Sequence, residues 1–249
     1  MKIVQITDCH LFADKQRTGY GDINPYKSLQ KVLEDVSAYN PELLLVTGDL
    51  SSDGTVDSYQ HFKALLAESK VSCDFKVLPG NHDSIDGLLA AFSEENLWSN
   101  SSALDLLDTW KIHLLNSKFK GTLGEVSIQD LEALRQCLLL NKTKHHFIAV
   151  HHHPITCTGW MDKHEWVNRE AFTQLVESFP QVKVVIYGHI HTEIETNQNG
   201  VLYLACPSTC WQWAITKSFG LTEAMPGFRV MDLHENGEIS HQVKHLIEV

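Results

Sequence analysis

The sequence predicts an α/β fold, and three observations carry that prediction. Short apolar runs of strand length alternate with amphipathic helical segments along the chain. The residues with unusual chemistry fall just after the apolar runs, where the loops of an open α/β sheet gather around ligands. No apolar run approaches the about 18 residues that a membrane span needs.

Lys2–Thr7 reads as the first strand. Asn24 followed by Pro25 marks a helix start, and Leu29, Val32, Leu33 and Val36 follow at helical spacing. Leu43–Thr47 is continuously apolar, as a strand covered on both faces should be. A helix over Val56–Glu68 turns Phe62, Leu65 and Leu66 inward, and Phe75–Leu78 is the next strand. Asp83 or Ser84 caps a helix that carries Leu88, Leu89 and Phe92. Ala103–Leu107 and Lys111–Leu115 read as strands, and Ser127 with Asp130 opens a helix to about Leu140. His145–Val150 is a strand, and Asn168 caps a helix carrying Phe172, Leu175 and Val176. Val182–Tyr187, Val201–Ala205, Phe228–Leu233 and Ile239–His245 complete the strands, with turn signals at Asn197–Gly200 and Asn236–Gly237. With no linker, repeat or low-complexity tract, residues 1–249 are expected to form one domain with extra β structure toward the C-terminus.

The composition narrows the function. The 249 residues carry 20 Lys+Arg against 31 Asp+Glu, a net charge of −11, which argues against nucleic acid as the partner. A local cationic site could still hold a small anion. The six cysteines, Cys9, Cys73, Cys137, Cys157, Cys206 and Cys210, form no CxxC pair and read as free thiols of a reducing cytoplasm. The opening residues lead directly into a strand and lack the basic and apolar regions of a secretory leader. Nothing suggests a membrane partner or sets an oligomeric state.

Histidine is in excess, with 15 residues. Five segments after strands carry metal-preferring side chains: Asp8-Cys9-His10, Gly48-Asp49, Gly80-Asn81-His82-Asp83, His151-His152-His153-Pro154 and Gly188-His189-Ile190-His191. Asp8, His10, Asp49, Asn81, His151, His189 and His191 make seven nitrogen or oxygen donors. One zinc site takes three or four. Seven suffice for two ions if one carboxylate bridges, the arrangement that clamps both oxygens of a phosphoryl displacement. Mixed carboxylate and imidazole without thiolate suits Fe, Mn, Zn or Co.

Asp-x-His, Gly-Asp, Gly-Asn-His-Asp, His before Pro154 and Gly-His-x-His, in that order, resemble the signature of the calcineurin-like metallophosphoesterases. The bacterial 3′,5′-cyclic-AMP phosphodiesterase branch is the most similar. It shares Gln5-Ile6-Thr7-Asp8, His10-Leu11-Phe12, the tripled His151–His153, Pro207-Ser208-Thr209-Cys210 and Pro226-Gly227. Cys9 stands where a hydroxyl residue is more usual, and no ligand is lost. The resemblance implies a four-layer αββα sandwich of two mixed sheets. It implies one ion on Asp8, His10, Asp49 and His191, and a second on Asp49, Asn81, His151 and His189. It further implies a metal-bridging hydroxide attacking phosphorus, and His82 protonating the leaving sugar oxygen or stabilising the transition state. Asp83, next to His82, reads as orienting that ring, as in many acid–base pairs, or as a helix N-cap. Asn81, His82, His10 and His151 would face the substrate phosphate. Two divalent ions, two carboxylates and a hydroxide leave the site near +1, matched to a phosphodiester at −1.

The expected reaction is hydrolysis of 3′,5′-cyclic AMP to 5′-AMP. The alternative is another small substrate: a glycerophosphodiester, a 2′,3′-cyclic nucleotide or a nucleotide pyrophosphate. A Ser/Thr phosphatase is disfavoured, because no Arg follows Asp49 in Leu50–Gly54 and Asp83 stands where those enzymes carry Glu. A scaffold without activity is disfavoured by the complete ligand set. His152 or His153 as phosphate contacts, His164 as an overhanging residue, and Trp211 or Trp213 as adenine stackers remain open alternatives to packing.

Overall fold

Strands whose side chains alternate between two apolar faces must be covered on both sides, and this chain solves that by stacking two sheets between helices. The computed structural model describes residues 1–247. In chain order the regular elements are β1 (Lys2–Ile6), α1 (Pro25–Ser37), β2 (Leu43–Thr47), α2 (Val56–Glu68), β3 (Asp74–Leu78), α3 (Ile85–Ala91), β4 (Ser99–Leu106) and β5 (Trp110–Leu114). They continue with α4 (Ile128–Leu140), β6 (His145–Ala149), α5 (Arg169–Glu177), β7 (Val182–Tyr187), β8 (Ile194–Gln198), β9 (Val201–Ala205), β10 (Gly227–Leu233) and β11 (Ile239–His245).

One sheet has the order β11-β10-β1-β2-β3 and the other β4-β5-β6-β7-β9-β8. Both are mixed: β1, β2 and β3 run parallel, as do β5, β6, β7 and β9, while β1 pairs antiparallel with β10, β10 with β11, β4 with β5 and β8 with β9. The layers follow residue parity. Ile3, Leu43, Leu45, Phe147, Ala149, Val184 and Ile186 pack between the sheets. Their neighbours Val4, Ile6, Leu44 and Val46 face α1 and α2, while Ile148, Val150 and Val185 face α4 and α5. This is the αββα sandwich.

The caps follow the sequence at most positions. Asn24 accepts from the Lys27 N–H, Ser84 from Gly87 and Ser127 from Asp130. Ser84, rather than Asp83, is therefore the cap of α3. Asn168 precedes α5 without capping it, because its amide is spent on the Val126 backbone and the Trp166 indole N–H. Leu89 is 55% exposed, since the short α3 buries only the face of Gly87, Leu88 and Ala91. Strand β8 was not anticipated: its burial is partial along its length, so it lacks an apolar row. Its pairing with β9 through the Asn199–Gly200 turn makes it a strand.

Candidate active site

Five parallel strands end at one edge of the sandwich, and the segments after them bring the predicted ligands together. Asp8 and His10 follow β1, Asp49 follows β2, Asn81 and His82 follow β3, His151 follows β6, and His189 and His191 follow β7. Backbone at this edge is unusual. Asp8, His10, Asp49, His189 and His191 have φ of 52°, 49°, 50°, 68° and 44°, a left-handed region that costs an L-residue roughly 1–2 kcal/mol. Strain of this kind gathers where side chains are held for a function. Close approach adds to it. A Cβ on Gly188 would lie 2.0 Å from the Thr7 hydroxyl and 2.6 Å from Asp8 Oδ2. On Gly48, whose φ is +95°, it would lie 2.4 Å from the His151 ring.

The first group is Asp8, His10 and His191, all buried, with ligand atoms within 4.8 Å of one another. The Nε2 atoms of His10 and His191 are 3.1 Å apart, and His191 Nε2 is 3.2 Å from Asp8 Oδ1. His191 Nδ1–H donates to the Trp211 carbonyl, which leaves Nε2 with its lone pair inward. Asp8 Oδ2 accepts from Thr7 and from the His189 N–H, whereas Oδ1 is buried without a hydrogen-bond partner. A buried orphan carboxylate oxygen beside two paired imidazole nitrogens is the donor set of a cation site. Ser208 and Cys210 donate to the Asp8 carbonyl at 2.8 and 3.2 Å, which gives Pro207–Cys210 its place behind the site.

The second group is Asp49, His151 and His189. His151 Nδ1–H donates to the Thr47 carbonyl, and Nε2 sits 3.4 Å from Asp49 Oδ2 and 3.2 Å from Asn81 Oδ1. His189 Nε2–H donates to the His164 carbonyl at 3.1 Å, leaving Nδ1 for a ligand. Asp49 Oδ2 is also 3.8 Å from His10 Nε2, so one oxygen lies between the two groups. Its other oxygen accepts from the His82 N–H at 2.8 Å.

His82 is exposed above this floor, its ring edge-on to His10 at 5.0 Å. The role expected of Asp83 needs correcting. Its carboxylate accepts from the N–H groups of Gly80, Ser51 and Leu50 and from the Tyr59 hydroxyl, so it locks the Asp49 and Asn81 loops together instead of orienting the His82 ring.

Burial pushes His10 down to about 3 and His189 well below its ordinary range, so both rings are neutral. Burial opposes charge on His151 too, but the Asp49 carboxylate outweighs it and raises the imidazole to about 9. Burial likewise opposes ionisation of Asp49, and His151 reverses that, holding the carboxyl well below the usual range. Asp83 is pushed up to about 6, first by burial and then by the charge of Asp49.

Other histidines fall elsewhere. His152 shares a hydrogen bond with the Ser117 hydroxyl, and His153 packs parallel to His189, 3.4 Å from Asp162. Both are fully buried behind the ligands. His164 does line the cleft. Trp211 and Trp213 are nearly buried, stacked on His10 and His191 at 5.1 and 4.8 Å. Sequence reasoning missed Tyr20, Trp160 and Phe219, which line the same cleft of about 520 Å³ together with Arg17 and Thr122. No spacing pattern marks them; only the folding of three separate loops brings them together.

The family model described as calcineurin-like phosphoesterase matches residues 1–193. A 3′,5′-cyclic adenosine monophosphate phosphodiesterase, CpdA, of Vibrio vulnificus is 36% identical over 251 residues, covering 99% of this chain and 90% of that protein. CpdA of Escherichia coli K12 is 35% identical, covering 100% of this chain and 90% of that one. Among solved structures, a dimetal phosphatase from Danio rerio superposes with a TM-score of 0.72 at 14% identity, covering 100% and 97% of the two chains. That likeness speaks to the fold alone.

Proposed function

The chain belongs to the calcineurin-like phosphoesterase family, and on that premise we propose that it hydrolyses 3′,5′-cyclic AMP to 5′-AMP. The observation that carries the proposal is the pair of ligand groups meeting at Asp49 Oδ2, at the floor of a cleft sized for a small molecule. Relatives named as cyclic-AMP phosphodiesterases across nearly the full length support the choice of substrate.

Asp8, His10, Asp49 and His191 would hold one divalent ion, and Asp49, Asn81, His151 and His189 the other. Iron, manganese, zinc or cobalt suits these donors. Two such ions, when bound, supply the positive charge that activates water and neutralises the phosphodiester. The chain's own residues do the rest. Carbonyls of Thr47, Trp211 and His164 each hold one ring nitrogen of His151, His191 and His189, so the other nitrogen of each ring faces the site. Asp83 fixes the distance between the Asp49 and Asn81 loops. His82, with its backbone pinned by Asp49 and its ring in the cleft, delivers a proton to the departing 3′ oxygen. The six free cysteines suit a reducing cytoplasm, and no helix among the described residues is long and apolar enough to cross a membrane.

The test is turnover of cyclic AMP, cyclic GMP, 2′,3′-cyclic AMP and glycerophosphocholine by metal-reconstituted protein. The highest kcat/KM is expected for cyclic AMP. A preference for glycerophosphocholine or the 2′,3′-cyclic nucleotide would replace the substrate and keep the chemistry.

A further inference from the structure

One wall of the cleft is aromatic, and phosphoryl transfer makes no use of it. Tyr20, Trp160 and Phe219 come from three loops: a 3₁₀ turn at Tyr20–Asp22, another at Trp160–His164, and the segment after β9. All three rings meet Trp213. Tyr20 stands edge-on to it at 5.0 Å, Trp160 edge-on at 5.5 Å and Phe219 tilted at 5.5 Å. Trp213 in turn stacks on the candidate ligand His191. The wall is therefore tied to the reacting centre by ring contact. It is also held from behind, since the Trp160 indole N–H donates to the Ala214 carbonyl at 3.0 Å.

Two of these rings are left open. Tyr20 is 51% exposed and Phe219 55%, only 5.7 Å apart, an apolar surface at the mouth of a polar site. We propose that Tyr20, Trp160 and Phe219 form a platform for the substrate's nucleobase, a reading that rests on the cyclic-nucleotide activity proposed above. Stacking on the platform holds the base and leaves the sugar between it and the metal ligands, so its energy goes into binding the substrate. A flat, uncharged π system suits rings in edge and tilted contact. The other guest of an aromatic cage is a quaternary ammonium such as choline. Charge in the cleft disfavours it. Asp49, already engaged by His151 and His82, is the carboxylate among the described lining residues, while Arg17 lies over the Phe12 ring at 4.2 Å.

The experiment compares cyclic AMP with methyl riboside 3′,5′-cyclic phosphate, which keeps the cyclic phosphodiester and lacks the base. Tyr20→Ala with Phe219→Ala, and separately Trp160→Ala, should raise KM for cyclic AMP about 5- to 150-fold while kcat changes little. The abasic substrate should respond less than twofold. Titration of 5′-AMP against the tryptophan fluorescence of metal-free protein should show the same weakening in the double variant. Tyr20→Leu with Phe219→Leu keeps apolar bulk without a π face and should lose the same discrimination, which tests the platform even where the truncated form folds poorly. Equal loss on both substrates, or an unchanged KM for cyclic AMP, would overturn the platform. A KM effect confined to glycerophosphocholine would overturn the nucleobase as its occupant. Absence of cyclic-AMP turnover in the unaltered protein would instead reject the proposed function, and is read before any variant.

Discussion

Replacing His82 by Ala separates proton donation from metal binding. The ring is exposed and stands edge-on to His10, so its removal should cost the fold no more than about 0.5 kcal/mol. The backbone N–H at position 82 survives in Ala and continues to donate to Asp49 Oδ1 at 2.8 Å. The loop and the shared carboxylate therefore stay in place. What disappears is a positioned acid, typically worth about 10²–10⁴-fold, which is about 2.7–5.4 kcal/mol of barrier. A cyclic nucleotide leaves as an alkoxide and needs that acid. Bis-p-nitrophenyl phosphate leaves as a stable phenolate and needs it much less. His82→Ala should retain both metals, lose about 10²–10⁴-fold in kcat on cyclic AMP, and lose at least tenfold less on the aryl ester. Metal content and both rates are measured on one preparation. Equal losses on the two substrates would show that His82 stabilises transition-state charge without donating a proton. His82 also lies within 4.8 Å of ligand atoms of His10 and Asp49, so a lost equivalent of metal would show it to be a ligand and refute the assignment.

Asp49→Ala removes the oxygen shared by both groups, and should bring metal content below one equivalent where Asp8→Ala retains about one; elemental analysis after gel filtration decides, and two equivalents in Asp49→Ala would contradict sharing. Gly188→Ala places a Cβ 2.0 Å from the Thr7 hydroxyl and 2.6 Å from Asp8 Oδ2, so it should displace Asp8, lose one metal and lower Tm, read by calorimetry with and without manganese. Asp83 gives a pH test on metal-free protein. Its folded pKa of about 6 lies above the ordinary 3.8, so the folded chain holds that proton more tightly. The resulting stability is fully present below about pH 4 and is lost as pH rises through 6. Asp83→Asn cannot ionise, so it should gain on the unaltered protein by up to about 3 kcal/mol between pH 4 and 7, even though the Asn leaves some of the four donors unmatched. A gap in denaturant midpoint that is independent of pH would refute the raised pKa.

Much of the site is legible in one dimension because its ligands follow strands. A parallel strand delivers whatever comes next to the same edge of the sheet, so Asp8, Asp49, Asn81, His151 and His189 can be grouped before any contact is known. Asp83 was legible as important and misread as to partner. Adjacency to His82 suggested an orienting contact, whereas the carboxylate turns the other way to collect three backbone N–H groups and the Tyr59 hydroxyl. His153 shows the same limit: all three histidines of the run are buried, and His151 turns its Nε2 to Asp49 and Asn81 while His152 and His153 turn to Ser117 and Asp162, because consecutive side chains leave the backbone in different directions.

By itself the sequence determined the alternating elements, the two-faced apolar strands and the seven donors at the strand ends, since periodicity and residue chemistry are local properties of the chain. Only the tertiary structure decided which donor atoms face inward. That choice rests on the carbonyls of Thr47, Trp211 and His164, and every residue has a carbonyl, so no motif records it. Only the tertiary structure, too, put five ligands in left-handed backbone and assembled Tyr20, Trp160 and Phe219 into one wall. Those loops are distant in sequence, and the packing of two sheets face to face is what makes them neighbours.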